Sequence, residues 1–300
     1  MTRHRPVPRQ PRTAGEWLAR AYPRRNWLHA DIAERLAHRR PIPTSPPDKS
    51  FFGRAFDHAV GLDLAIEPPH PQLLDCLTDT QAHRLLNLAG YDPPNTDPTA
   101  PYPLWRKRTS PTSAARLFTA AGRLAHLFQA WRDIRPTTPD NARVVLRPLL
   151  AHQPTMYRCQ RDIWQARSVL ARYWTSYTSG FRDALRSYGA VTVAPALLDG
   201  HRSPDLICGN TVVEIKAGRL DQPTYVYQLI DQIVSYALLA PLDGHRVTHV
   251  AAYLARYELL IRYPIQDLLD NLAGGPVHAA TAATRLAAVI RASESPRCYW

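Results

Sequence analysis

The sequence predicts an α/β protein whose core is a mixed sheet with flanking helices, preceded by a large N-terminal helical extension. Helical spacing of apolar residues dominates the first 190 residues. After that point come short β-branched runs in the order strand, strand, strand, helix, strand, strand, and a last helix closes the chain. Strands that alternate with helices in this way are typical of an α/β layer architecture.

Apolar residues spaced three and four apart predict the helices of the extension. They cover residues 14–40, 51–66, 79–89, 110–134 and 160–188. Gly90 and Gly189 mark two of the helix ends, since glycine favours the position after a helix.

The core elements are predicted from β-branched runs and one further pair of helical patterns. Strands are expected over 190–198, 203–208, 211–217, 247–255 and 257–265, with helices over 223–240 and 278–292. The expected organisation is a basic disordered arm at 1–12, a helical accessory region at 13–140 and the α/β core at 141–300, with residues 135–141 as the linker.

A proline-rich stretch over residues 91–111 predicts a long loop. It carries the basic cluster Trp105-Arg106-Lys107-Arg108. This cluster is read equally well as a phosphate contact or as a solvated run of charge.

The charge balance favours a polyanionic partner. The formal net charge is +12 and the pI is about 9.9, which points to nucleic acid first and to an acidic membrane surface second. No apolar run reaches 18 residues, so no membrane span is expected. The basic start lacks a following apolar segment and does not resemble a secretory signal, which predicts a cytoplasmic protein.

The four cysteines do not predict a metal site. Cys76, Cys159, Cys208 and Cys298 are far apart and form no C-x-x-C pair. Free thiols are the expected state in a reducing cytoplasm.

A short hairpin carries the residues with chemical potential. Gly209-Asn210 is a two-residue turn signal between two strand patterns. With those two residues as the turn, Asp205 falls opposite Glu214, and Lys216 points to the same face because side chains alternate along a strand. Two carboxylates side by side destabilise a sheet unless a cation offsets them, and Mg²⁺ takes such oxygen ligands.

Pro204-Asp205 followed by Glu214-Ile215-Lys216 resembles the signature of the PD-(D/E)xK nuclease superfamily. Gln232 and Tyr236 in the next helix resemble the Q-x-x-x-Y motif of its RecB-like and lambda-exonuclease-like branches, and Gln228 extends that stripe by one turn. The resemblance implies a restriction-endonuclease-like core that binds Mg²⁺ or Mn²⁺ through Asp205, Glu214 and the backbone carbonyl of Ile215. It gives Lys216 a catalytic role, and Gln232 and Tyr236 a face toward the metal site and the nucleic-acid backbone.

Upstream the resemblance is thin. RecB-like enzymes often carry a G-x-x-x-H helix whose histidine joins the metal site. Here Gly53 is followed at that spacing by Asp57, with His58 one residue later. Either side chain could reach the metal, and a place on the helix surface is the alternative. The iron–sulfur cluster of some RecB-type enzymes is not expected, because only Cys298 lies late in the chain.

These observations predict a metal-dependent nuclease that acts on DNA rather than RNA, in defence, recombination or repair. Three basic residues flank the hairpin and are candidates for contacts with the nucleic-acid backbone: His201, Arg202 and Arg219. The alternative is a catalytically silent nuclease-like subunit that binds DNA or acts as a scaffold among protein partners. The predicted fold does not distinguish between these roles, because one fold can support many functions.

Overall fold

The computed structural model describes residues 11–43, 49–92, 105–108, 110, 112–134, 139–220 and 222–294. Most of the expected basic arm, most of the loop at 91–111 and Cys298 lie outside these ranges. The first half of the described chain contains helices and one two-stranded ribbon. In order, they are α1 (Ala14–Ala21), α2 (Arg25–Ala37), α3 (Lys49–Leu64), α4 (Pro71–Asp75), α5 (Asp79–Ala89), β1 (Tyr91–Asp92), β2 (Arg106–Lys107), α6 (Ala114–Ile134) and α7 (Pro139–Ala151).

The second half contains the main sheet. Its elements are α8 (Gln153–Ser176), a π-helical turn (Tyr177–Phe181), α9 (Arg182–Ser187), β3 (Val191–Val193), β4 (Leu206–Cys208), β5 (Thr211–Lys216), α10 (Pro223–Leu239), β6 (His249–Leu254), β7 (Leu259–Pro264), α11 (Ile265–Ala273) and α12 (Ala279–Ser293). Among the helices of the described ranges, none has the length and apolar character needed to cross a bilayer.

The expectation of a mixed sheet flanked by helices is confirmed. Five strands pair in the order β3-β4-β5-β6-β7. All neighbours are antiparallel except β5 and β6, which are parallel and are joined by α10. A parallel pair needs such a crossover, because the chain must return to the starting edge before it can run in the same direction again.

The predicted hairpin register is confirmed over its three inner pairs. Cys208 pairs with Thr211, Ile207 with Val212, and Leu206 with Val213. Gly209 adopts φ +53°, and a Cβ there would lie 1.9 Å from the carbonyl oxygen of Tyr188. Only glycine fits this turn, which fixes the even register on which the position of Asp205 depends.

Several secondary-structure predictions need correction. The helix expected over 14–40 is interrupted between α1 and α2, where Pro23 disfavours a helical conformation in the residue before it. The strand expected over 190–198 covers only Val191–Val193. Helices α4, α7 and α11 and the short ribbon of β1 and β2 were not predicted. Residues 139–141 of the expected linker belong to α7, because Pro139 occupies the first helical turn, where proline is tolerated.

The two faces of the sheet bury two separate hydrophobic clusters. One face, with Val213 and Ile215, packs against residues of α3, α5, α6 and α8. The other face, with Val212 and Val250, packs against α1, α2, α10, α11 and α12. Helices from before and after residue 140 contribute to both clusters, so the expected boundary at 140/141 does not separate two hydrophobic cores.

Helix α3 is fixed across the end of β5. The Phe56 ring packs edge-on against Tyr173 of α8, and the Tyr173 hydroxyl donates to the carbonyl of Ala217 at 3.3 Å. At the other end of α3, Asp63 accepts two hydrogen bonds of 2.8 Å from the Arg182 guanidinium. These contacts place the middle of α3 beside the residue that follows Lys216.

Candidate active site

The C-terminal end of β5 carries the predicted constellation. Glu214 and Lys216 alternate with the buried Val213 and Ile215, so they point to the face covered by α10. Asp205 immediately precedes β4. The ladder between β4 and β5 ends at the pair Leu206 and Val213, one pair short of Asp205 and Glu214.

Beyond the last backbone pair of β4 and β5, the Asp205 side chain binds the backbone of β5. Its Oδ2 accepts a hydrogen bond of 2.6 Å from the backbone amide of Ile215. Its own carbonyl accepts one of 2.9 Å from Ala194. Asp205 is therefore tied to both neighbouring segments, and its carboxylate lies along the strand that holds Glu214 and Lys216.

Glu214 and Lys216 form an ion pair through Oε1 and Nζ. Glu214 is only 3% exposed. Its second oxygen, Oε2, is buried and has no hydrogen-bond partner among the described residues. An uncompensated buried carboxylate oxygen is costly, so such an atom points to a ligand that would satisfy it.

Asp57 of α3 belongs to the same electrostatic cluster. Burial raises the pKa of Asp57 to about 8; Lys216 opposes this rise, and Glu214 adds to it. Its Oδ1 is buried without a hydrogen-bond partner in the described part of the chain. The structure thus brings Asp57 toward the hairpin from the helix that covers the opposite face of the sheet.

The structure does not bring His58 to this cluster. Consecutive helical residues point about 100° apart, and the Nδ1 of His58 lies 3.2 Å from the Nε2 of His70. Both rings pack against Phe128 inside the helical layer. Burial lowers the pKa of His70 to about 4, and burial also lowers the pKa of His58, with help from His70.

Burial and the neighbouring negative charges raise the pKa of Asp205. Burial has the largest effect, and the negative charges of Glu214 and Asp57 add to it, while Lys216 and the Ile215 amide oppose it. Burial by itself lowers the pKa of Lys216, but Glu214 and Asp205 outweigh it, so the net shift is upward. Lys216 is therefore a firmly protonated cation beside crowded carboxylates.

A cleft opens beside Lys216. It has a volume of about 740 Å³ and lies between the end of β5 and the exposed face of α10. Its lining includes Lys216, Arg219, Tyr225, Gln228, Asp231 and Gln232. Gln228 and Gln232 therefore share one cleft with Lys216, whereas Tyr236 is 5% exposed and packs in the second hydrophobic cluster.

Among the cleft residues that were not singled out from the sequence, Tyr225 and Asp231 belong to α10. Tyr225 is 45% exposed and lies one turn before Gln228. Asp231 is held by an ion pair with Arg25 of α2. Their spacing from Gln228 and Gln232 is the signal that could have found them, because residues three and four apart share a helix face.

The three basic residues that flank the hairpin lie in different environments. Arg219 lines the cleft. Arg202 forms two hydrogen bonds with the Glu294 carboxylate, at 2.7 and 2.8 Å, and His201 is buried. Of the three candidates for contacts with the nucleic-acid backbone, only Arg219 lines the same cleft as Lys216.

The basic cluster Trp105–Arg108 was open to two interpretations, a phosphate contact or a solvated run of charge, and Lys107 fits neither of them. Its ammonium donates to the carbonyls of Leu62 and Ala89, and burial lowers its pKa to about 8. Arg108 pairs with Asp92. Lys107 closes the ends of two helices, which is a structural task.

Compared with known proteins, the chain matches no family model, no curated protein and no solved structure. Within the described ranges, no group of three or more His, Cys, Asp and Glu side chains has the arrangement of a metal site. In this structure the Asp205 and Glu214 carboxylates are turned to the Ile215 amide and to Lys216. The donor chemistry nevertheless fits a hard cation, because three carboxylates surround the site and two of them present an unsatisfied buried oxygen.

Proposed function

We propose that this chain is a metal-dependent nuclease that hydrolyses phosphodiester bonds, with Asp205, Glu214 and Lys216 as its catalytic residues. One observation carries the proposal: the buried carboxylate of Glu214, the half-buried carboxylates of Asp205 and Asp57, and the Lys216 ammonium lie together beside a cleft. Such crowding of like charges is unfavourable in a purely structural position. Crowded charges of this kind are typical of functional sites, where a bound ligand or the reaction offsets their electrostatic cost.

The topology around the hairpin supports the same proposal. β3, β4 and β5 form an antiparallel meander, α10 crosses over, and β6 returns parallel to β5. The motif residues of the resemblance thus occupy a strand–hairpin–strand–helix context. Gln228 and Gln232 of α10 line the cleft that Lys216 enters.

Charge balance favours a divalent cation. When ionised, Asp57, Asp205 and Glu214 carry three negative charges and Lys216 carries one positive charge, which leaves a net charge of −2. Mg²⁺ or Mn²⁺ would balance it, with Asp205, Glu214 and the Ile215 carbonyl as ligands and Asp57 as a further oxygen donor. When bound, such an ion polarises a phosphoryl oxygen and lowers the pKa of a coordinated water.

The other residues of the site have separate roles in the proposed reaction. The Lys216 ammonium donates hydrogen bonds to a phosphoryl oxygen and stabilises the negative charge that grows on it. The Ile215 amide holds Asp205 in place. Gln228, Gln232 and Arg219 line the cleft and can hold the phosphate backbone beside Lys216.

The proposed substrate is nucleic acid, and DNA in preference to RNA. The net charge of +12 supports a polyanion, and the Q-x-x-x-Y resemblance supports DNA. A cytoplasmic role in defence, recombination or repair, with protein partners in a larger assembly, belongs to the same proposal. A silent DNA-binding subunit is the competing function, and the experiment below separates the two.

The test is cleavage by purified protein with Mg²⁺, with Mn²⁺ and with chelator. Supercoiled, linear and single-stranded DNA and an RNA of matched length are the substrates. We expect metal-dependent cleavage of DNA that is lost in Lys216→Met and kept in Lys49→Met, a lysine remote in sequence from the hairpin. Binding without cleavage under every metal condition would favour the silent subunit.

A further inference from the structure

A second surface with the chemistry of a nucleic-acid site lies on helix α8. Trp164 is 73% exposed and Tyr157 is 69% exposed, two turns apart on the same side of the helix. Exposed large aromatic side chains on one face are uncommon in a monomeric surface and indicate an interaction site. Neither residue lines the cleft beside Lys216.

A groove runs beside Trp164 between α6 and α8. It has a volume of about 510 Å³. Phe118 and Ile163 form part of its apolar wall, while Trp164, Gln160 and Arg167 line it from α8. The groove thus combines an apolar wall, a flat aromatic ring, an amide and a cation within one small space.

The charge on this face has one sign. Arg167 borders the aromatic pair on one side, and Arg161, Arg172 and Arg158 follow on the other side of the exposed arc. The single acidic residue of α8, Asp162, turns to the side where it lies 3.3 Å from the His126 ring and also binds Arg161. Within the described part of the chain, Arg158, Arg167 and Arg172 have no ion-pair partner.

We propose that this face of α8, with its groove, binds single-stranded nucleic acid. Trp164 stacks on an unpaired base and the unpaired arginines hold the phosphates. Stacking requires an open base face, which a duplex covers and a single strand presents. A face without exposed acidic groups complements a polyanion, whereas an ordinary protein partner would need acidic residues in matching positions.

This site goes beyond the proposed hydrolysis, because it shares no lining residue with the cleft of Lys216. It would hold a nucleic-acid strand on α8. Its occupancy can be measured without cleavage, so failure of the nuclease proposal and failure of this one give different results.

The experiment measures fluorescence anisotropy of a labelled 12-nucleotide single strand and of its duplex, in chelator. Trp164→Ala removes the stacking ring, Trp164→Phe keeps an aromatic ring, and Trp27→Ala removes another exposed tryptophan as the matched control. We expect Trp164→Ala to weaken single-strand binding about 5- to 150-fold, as loss of one stacked base does. Trp164→Phe should lose less, and Trp27→Ala should match the unmodified protein.

A salt titration tests the arginines. The double variant Arg167→Ala/Arg172→Ala should lower the slope of log affinity against log salt by about 1.4, since each contact with a single-strand phosphate contributes about 0.7. The control Arg246→Ala/Arg285→Ala removes two exposed charges elsewhere and should leave the slope unchanged. Circular dichroism and thermal melts verify that every variant is folded, and Arg167→Glu provides a second disruption of the groove.

Three further probes identify the occupant. Weak binding of dAMP beside tight binding of the strand supports the proposal, while dAMP binding as tight as the strand would assign the groove to free nucleotides and overturn it. Unchanged single-strand binding in both Trp164→Ala and Arg167→Glu would overturn it too. So would a Trp164-dependent binding to phosphatidylserine vesicles without strand binding, or a Trp164-dependent dimer in sedimentation.

Discussion

The Asp205 carboxylate accepts a hydrogen bond from the backbone amide of Ile215 at 2.6 Å. This bond stands where the next rung of the β4–β5 ladder would be. A side chain that replaces a backbone partner is fixed in position without any metal. Asp205 therefore has a structural task as well as the proposed catalytic one, and the two can be separated by choice of substitution.

Asp205→Asn should separate them. The asparagine carbonyl oxygen can still accept the Ile215 hydrogen bond, and the substitution removes one of the crowded negative charges. We therefore expect a melting temperature no lower than that of the unmodified protein, with cleavage reduced at least about 100-fold through loss of a charged ligand. Asp205→Ala should lose cleavage and also about 1–3 kcal/mol of stability, because the buried amide loses its partner. Urea unfolding and cleavage rates measure both effects, and equal stability of the two variants would contradict this account.

The hairpin could be predicted from the sequence because its determinants are local. Gly209 must occupy the turn, and an even turn then determines which side chains share a face. The position of Asp57 could not be derived in this way. It depends on the packing of α3 against Tyr173, which is more than 100 residues away in sequence, and no periodicity encodes that contact.

The same limit explains why the sequence left the roles of His58 and Lys107 open. Both residue types bind metals or phosphates on exposed surfaces, and sequence does not show whether they face inward. Here His58 meets His70, and Lys107 meets the carbonyls of Leu62 and Ala89. Burial decides each role, and burial is a property of the assembled helices.

Asp57→Asn should raise stability and lower function. The substitution removes one of three crowded carboxylates, whose pKa burial raises to about 8, and keeps the side-chain shape. We expect the metal-free variant to gain more than about 1 kcal/mol in the free energy of unfolding at pH 8.5. Metal-dependent cleavage should fall at the same time. Asp63→Asn is the contrasting variant on the same helix, and it should lose stability because it weakens the pair with Arg182.

The cleft residues should affect binding of the substrate more than the chemical step. Gln232→Ala and Gln228→Ala should each raise KM about 10-fold, the effect of losing a hydrogen bond to a charged phosphate, with a smaller change in kcat. Tyr236→Phe should leave KM unchanged, because that side chain packs in the core and does not line the cleft. Steady-state kinetics on one oligonucleotide, with Gln266→Ala as the control, would test this contrast; a larger KM effect for Tyr236→Phe than for Gln232→Ala would contradict it.

The buried pair of His58 and His70 should make the fold acid-sensitive. Burial lowers the pKa of His70 from 6.5 to about 4, so the unfolded chain takes up a proton in this interval that the folded chain resists. The contribution of His70 to the free energy of unfolding is therefore fully present above pH 6.5. It is lost as the pH falls toward 4, and the loss is about 3 kcal/mol for this one histidine. Urea unfolding at several pH values should show this slope in the unmodified protein and in the exposed-site control His38→Gln. His70→Gln should flatten the slope, whatever its effect on stability at neutral pH, and an unchanged slope would mean that another group controls the acid response.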